Sequence, residues 1–166
     1  MTPQNFSGCA DGVLVRQFEP GDEAAFRALN EEWIRRYFKL ETKDEAAFAD
    51  PRTTILAKGG QILIAVIDGE KVGCCALLRI GEGEFEVAKM AVSPAHQGKG
   101  IGRCLLSAAI EEARSTRASR LYLETNHTLT AAIRLYESLG FRHLDASEIK
   151  PSPYARTDVY MELGLD

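Results

Sequence analysis

Between the apolar run "EFEVAKMAV" and the helical stretch "CLLSAAIEEAR" lies "SPAHQGKGIG", where Gly98, Gly100 and Gly102 alternate, Lys99 falls between the first two, and Arg103 follows. Glycine lets a backbone approach a ligand closely, and a helix that starts here presents unpaired N–H groups with a partial positive charge. These residue types in this order suit the cradling of an anion such as a pyrophosphate, with Lys99 and Arg103 adding charge-assisted contacts. A turn that only began a helix would not need three glycines, each of which loses entropy on ordering.

Two further groups have the types for proton chemistry. Glu82, Glu84 and Glu86 alternate, so within a strand their side chains share one face. That face is either solvated or an acidic wall for a cationic amine, with Glu86 or Glu84 taking a proton through water. In "LTAAIRLYESLGF", Leu129, Ile133 and Tyr136 share a helical face. A tyrosine so placed is ordinarily a core residue with its hydroxyl satisfied. Asn126 sits just before that helix and is either its cap or a site residue. Cys9, Cys74, Cys75 and Cys104 form no C-x-x-C, and His96, His127 and His143 are scattered. No zinc spacing results, and free, mostly buried thiols are expected, with no metal. Cys104, inside a helix rather than at its start, is a poor nucleophile.

The elements that must position these residues follow from periodicity. Val13 to Phe18 reads as a strand, and "EPGDEAAFRALNEEWIRRYF" as an amphipathic helix with Phe26, Leu29, Trp33 and Tyr37 on its stripe. Lys43 to Ala49 predicts a short helix that stops before Pro51. "QILIAVIDGEKVGCCALLRI" is a hairpin through Asp68-Gly69, and a turn at Gly81 to Gly83 leads into "EFEVAKMAV". A helix from about Gly100 to Arg117, the strand "RLYLET", a helix ended by Gly140, and strands at 141–144 and 157–163 complete the chain. The order is β-α-α-β-β-β-α-β-α-β-β, a mixed α/β sheet.

The strand, glycine turn, helix and second strand ending in Glu124 imitate a dinucleotide fold. However, the glycines run G-x-G-x-G rather than G-x-G-x-x-G, and Ser93 to Gln97 separate the strand from Gly98. A P-loop needs Ser or Thr after Gly-Lys, where this chain has Gly100 and Ile101. Gln97-x-x-Gly100-x-Gly102 instead resembles the coenzyme turn of the GCN5-related N-acetyltransferases. The likeness is strongest in "VAKMAVSPAHQGKGIGRCLL" and "LYLETNHTLTAAIRLYESLGF" and covers about residues 13 to 163.

This resemblance implies a single domain over 1–166 whose mostly antiparallel, twisted sheet is flanked by helices. It implies acetyl-coenzyme A as co-substrate, held by Gln97, Gly98, Lys99, Gly100, Ile101, Gly102 and Arg103, with backbone contacts from Met90, Ala91 and Val92. Tyr136 falls on the family's A-x-x-x-Y-x-x-x-G-F pattern and would place its hydroxyl by the coenzyme sulfur, to protonate the departing thiolate. Glu86 falls where some members hold a general base. Leu129 stands where many members carry a coenzyme-contacting asparagine, so Asn126 either substitutes or only caps the helix. The implied activity is acetyl transfer to a primary amine, most simply on a small molecule, by direct attack on the thioester. A non-catalytic coenzyme A sensor is the alternative. Trp33, Tyr37, Phe38 and Tyr154 offer walls for the acceptor, Glu41 could meet a cation, and Arg36 or Arg156 could bind a carboxylate. The ending "SPYARTDVYMEL" resembles a bacterial subgroup.

Composition bounds this reading. The chain has 166 residues, 45% hydrophobic and 27% charged, enough for one domain with a hydrophobic core. The net charge of −4 argues against a general nucleic-acid surface. No apolar run approaches the ~20 residues of a membrane span and no signal peptide is evident, so a cytoplasmic protein without a membrane partner is expected. A homodimer is left open.

Overall fold

The computed structural model describes Cys9 and residues 12–165. Strand β1 (Val13–Gln17) leads into helices α1 (Glu23–Tyr37), α2 (Thr42–Ala49) and α3 (Pro51–Thr54). Strands β2 (Gln61–Ile67), β3 (Glu70–Gly81) and β4 (Glu84–Val92) follow as a meander. Then come α4 (Ile101–Ser115), β5 (Arg120–Thr125), α5 (Thr130–Ser138), β6 (Arg142–His143) and β7 (Val159–Gly164). The seven strands form one sheet in the order β1-β2-β3-β4-β5-β7-β6. The β4–β5 ladder is parallel and the other ladders are antiparallel.

Local signals explain most boundaries. Asp68 and Gly69 both have positive φ (48° and 80°), as a tight hairpin turn requires. Gly140 is left-handed with φ 99° just past α5. The expected helix before Pro51 ends at Ala49, but Pro51 also begins α3, with the Asp50 side chain accepting from Thr53 N–H at 3.2 Å. Proline fits the first helical turn because its missing N–H has no partner there anyway.

Strand alternation sends neighbouring residues to opposite faces of the sheet. Leu63, Cys75, Leu77, Leu121 and Leu123 pack with Leu105, Leu106 and Ala109 of α4. Ile62, Ile64, Cys74 and Ala76 pack with Phe26, Leu29 and Ile34 of α1 and Phe48 of α2. The helices thus cover both faces and fix the orientation of the sheet between them.

Two irregularities open the site. First, β4 and β5 pair only from Glu84↔Arg120 to Val87↔Leu123, although β4 continues to Val92 and β5 to Thr125. The strands splay, leaving the far end of β4 without a partner strand on that side. Second, Cys74 faces Ala91 and Ala76 faces Ala88, so Cys75 alone opposes Lys89 and Met90. Lys89 takes φ 54°, uncommon for a residue with a side chain, and the bulge re-aims it out of the strand's regular alternation.

The thiols depart from expectation. Cys74 and Cys75 are free and buried, but Cys9 is joined to Cys104 by a disulfide. Their Cα atoms lie 5.1 Å apart, inside the bridging range, across a sequence separation of 95 that spacing alone does not reveal. No described helix is long and apolar enough to cross a membrane.

Candidate active site

A cleft of about 730 Å³ opens where β4 and β5 part, bounded by the glycine turn, α4, α5, the end of α1 and the loop before β7. Gly98 (φ 78°) and Gly100 (φ 80°) are both left-handed, and a Cβ at either would meet nothing within 4 Å. Backbone conformation therefore selects glycine at both, and the space before them is open. Gly100 is the N-cap of α4 and no side chain caps it. The first N–H to bond back is that of Cys104, to Gly100 O at 3.1 Å. The preceding N–H groups of the first turn lie at the cleft with the helix's positive end.

The remaining sequence-identified residues distribute unevenly. Met90, Ala91, Val92, Gln97, Ile101, Gly102 and Arg103 line the cleft together with Gly98 and Gly100. Gln97 Nε2 donates to Val92 O at 3.2 Å, tying the turn to the end of β4. Arg103 donates to Ser138 Oγ at 2.8 Å, bracing α4 against α5. Lys99 is exposed and does not line the cleft. Asn126 does, but its polar atoms are engaged within the chain. It donates to Arg156 O at 2.6 Å and accepts from Thr128 N and Oγ1 at 2.9 and 2.6 Å.

Tyr136 lies on the α5 side of the opening. It is 8% exposed, and its ring packs on that of Phe141. Among the described residues its hydroxyl has no hydrogen-bond partner, yet it is not one of the fully buried unpaired atoms, so the oxygen fronts the cleft. Burial, and secondarily the nearby Cys75, pushes its pKa up, which keeps the proton on oxygen.

Glu86 lies across the opening, on the α1 face of the sheet. Burial pushes its carboxyl up to about 7, the charge of Glu124 adds to the rise, and Lys89 partly offsets it. In the sequence Glu124 stands out only as the acid of the dinucleotide-like pattern. The parallel register explains its presence: Glu86 pairs with Tyr122, and Glu124 is the next residue of β5 on that face. Glu84 is not part of this wall. It starts β4, away from the cleft lining, with an oxygen 3.9 Å from Arg120. Glu82 is exposed in the preceding turn.

Trp33, Tyr37, Phe38 and Tyr154, expected as walls for an acceptor, all line the cleft. The charged residues expected to meet a substrate there meet each other. Arg156 grips Asp44 at 2.9 and 2.7 Å and reaches Glu41 at 3.1 Å, so neither Arg156 nor Glu41 is free. Arg36 lies beside Tyr37, outside the lining. Asp44 is fully buried. Burial alone would raise its pKa, but the hydrogen bonds from Arg156 and the Glu41 N–H hold it below the usual carboxylate range. Removing one member of such a buried charge cluster typically costs about 3–5 kcal/mol. Asp44 therefore pins the loop before β7 against α2.

One cleft thus joins an open helix N-terminus, a free strand edge and a half-buried carboxyl across from a tyrosine, an arrangement chemically suited to a phosphate-bearing ligand. The family follows from comparison. The model of the Acetyltransferase (GNAT) family matches residues 23–141, and the chain belongs to that family. It is 33% identical over 150 residues to a mycothiol acetyltransferase of Thermobispora bispora, covering 84% of this chain and 50% of that protein. It is 41% identical over 81 residues to the Escherichia coli protein named "Uncharacterized N-acetyltransferase YjgM", 47% of this chain and 48% of that one. The chain thus spans about half the length of these curated relatives. Among solved structures, that of yncA from Salmonella typhimurium with its cofactor acetyl-CoA superposes with a TM-score of 0.68 at 26% identity, over 93% of this chain and 94% of that one. A GNAT-family acetyltransferase of Staphylococcus aureus shares the fold at TM-score 0.83 and 18% identity, over 93% and 99% of the two chains.

Proposed function

We propose that this chain is a single catalytic domain that transfers an acetyl group from acetyl-coenzyme A to a primary amine on a small molecule. The carrying observation is that one cleft joins the uncapped glycine turn and the free β4 edge to Glu86 on one side and Tyr136 on the other. The residues suit the coenzyme: the space before Gly98 and Gly100 is open, and the N–H groups there suit a pyrophosphate. Residues 97–103, with the exception of Lys99, would hold the phosphates, and Met90 to Val92 would offer backbone groups to the amides of the carrier arm. The coenzyme supplies an acetyl thioester, whose carbonyl carbon forms the new C–N bond as the C–S bond breaks.

The protein handles the protons. A primary ammonium has a pKa near ~10.4 and is almost wholly non-nucleophilic at neutral pH. The Glu86 carboxylate accepts the amine's proton, directly or through water. The Tyr136 hydroxyl donates a hydrogen bond to the departing sulfur. Because its pKa is raised while a free thiol's lies near ~8.5, it stabilises the thiolate better than it fully protonates it. The free cysteines do not take the acetyl group: burial pushes Cys74 up to about 12 and Cys75 further, so neither is a thiolate nucleophile.

The test is product detection. Protein given acetyl-coenzyme A and a mixture of primary amines should yield acetylated amine and free coenzyme A in equal amounts. Gly100→Asp, which sets a like charge where the phosphates would lie, should abolish the product and weaken coenzyme A binding at least about tenfold, the loss of one charge-assisted contact. A folded variant with unchanged affinity removes the phosphate-cradle assignment. Wild-type protein that binds the coenzyme yet acetylates none of the amines would be a sensor.

A further inference from the structure

The acceptor half of the cleft is charge-imbalanced in a way that bears on which amine enters. Its two cations are already compensated. Lys89 Nζ donates to the Tyr154 hydroxyl at 2.9 Å, lies 4.0 Å from Asp44 Oδ1, and sits over the rings of Tyr154 and Phe48 at 4.8 and 5.5 Å. The Arg156 guanidinium is committed to Asp44 and Glu41 and stacks on Tyr154 at 4.4 Å. Glu86 and Glu124, on the sheet floor, have no cation within 4.0 Å among the described residues.

Glu124 is oriented without being neutralised. Its Oε1 accepts from Ser152 Oγ at 2.6 Å and its Oε2 from the Tyr122 hydroxyl at 2.9 Å. Both donors are uncharged, and a carboxylate has about four acceptor sites, so it retains both its charge and acceptor capacity toward the cleft it lines. Glu86 stands opposite Tyr122 and Glu124 two residues further along the same face, so one small molecule can reach both.

Resting on the amine-acetylation reading above, we propose that the acceptor is a primary amine that carries a second ammonium group and no carboxylate beside the reacting nitrogen. Glu124 is the residue that selects it. The reacting nitrogen faces Glu86 and gives up its proton there, while the second nitrogen stays charged and pairs with Glu124 throughout. A chain of methylenes between the two lies against Trp33 and Tyr37, and the Trp33 ring face also attracts a cation. An α-amino acid fits poorly: its carboxylate would find Lys89 and Arg156 engaged and would meet two like charges.

The test compares 1,4-diaminobutane, butylamine and alanine as acceptors at saturating acetyl-coenzyme A. For wild-type protein kcat/KM for the diamine should exceed that for butylamine by about tenfold or more, chiefly through KM, with alanine the poorest. Glu124→Gln retains an acceptor for one of the two hydroxyls and should bring the diamine-to-butylamine ratio toward one. Glu84→Gln removes the same charge outside the cleft and should keep the ratio high. Alanine used as well as the diamine, or a ratio unmoved by Glu124→Gln in a folded variant, overturns the assignment of the acceptor. The wild-type comparison stands even if the variant does not fold. If the wild-type protein acetylates none of the three and no other amine, the amine-acetylation reading falls and this inference with it. Acetylation of other amines while all three of these are refused overturns this inference alone.

Discussion

Glu86→Gln should lower kcat/KM near pH 8 by about 10²–10⁴, the range for loss of a positioned general base. The size of the deficit should depend on pH in a defined way. A base must be ionised, and the Glu86 carboxyl titrates at about 7, raised by burial and by Glu124 against the opposing charge of Lys89, with the neutral Tyr122 beside it. Wild-type kcat/KM should therefore climb as pH rises through about 7. The variant lacks that step and should climb only as the amine loses its own proton toward ~10.4. The fold-deficit is largest up to about 7, where both rates rise together with pH, and closes as pH approaches ~10.4, where the amine deprotonates itself. A pH–rate profile measures it directly. An equal deficit at every pH would make Glu86 a residue that positions substrate, and no deficit would return it to a half-buried strand residue.

Tyr136→Phe should leave the protein folded and still able to bind coenzyme A, but turning over about 10²–10³ times more slowly where chemistry limits the rate. The ring stays against Phe141, and the hydroxyl has no partner within the described residues, so no protein hydrogen bond is lost. The stability change should stay below the about 0.5–1.5 kcal/mol of an ordinary hydrogen bond. The glycine turn proposed for the phosphates lies at the other end of the cleft, so coenzyme affinity by calorimetry should be nearly unchanged. A folded variant that turns over normally would make Tyr136 a core residue.

Local chemistry was readable in advance and partnership across the chain was not. The glycine turn could be found because the need for positive φ at Gly98 and Gly100 is written in residue type. The element order followed from periodicity, and Asp68-Gly69 announced its hairpin. What sequence reading missed depends on register. Glu124 reaches the site because β5 pairs in parallel with β4 and then splays. Lys89 turns into the acceptor side because Cys75 opposes two residues, an event set by the β3–β4 pairing and unmarked in "VAKMAV". Glu41 and Arg156 each looked available to a substrate, but they are 115 positions apart and bind each other. Lys99 belonged to the motif by position, and the turn carries its side chain out to solvent. Cys9 and Cys104 carried no local sign of their pairing.

The claim that amine and coenzyme occupy this cleft together, and react without an acetylated protein, is tested most directly by initial rates. Acetyl-coenzyme A and an accepted amine are varied against each other, and double-reciprocal plots are drawn. Direct attack requires both to be bound at once, so the lines should intersect, and protein given acetyl-coenzyme A alone should gain no acetyl group by mass. Parallel lines, together with an acetyl group retained on the protein, would contradict the account and move the chemistry to a nucleophile it does not assign.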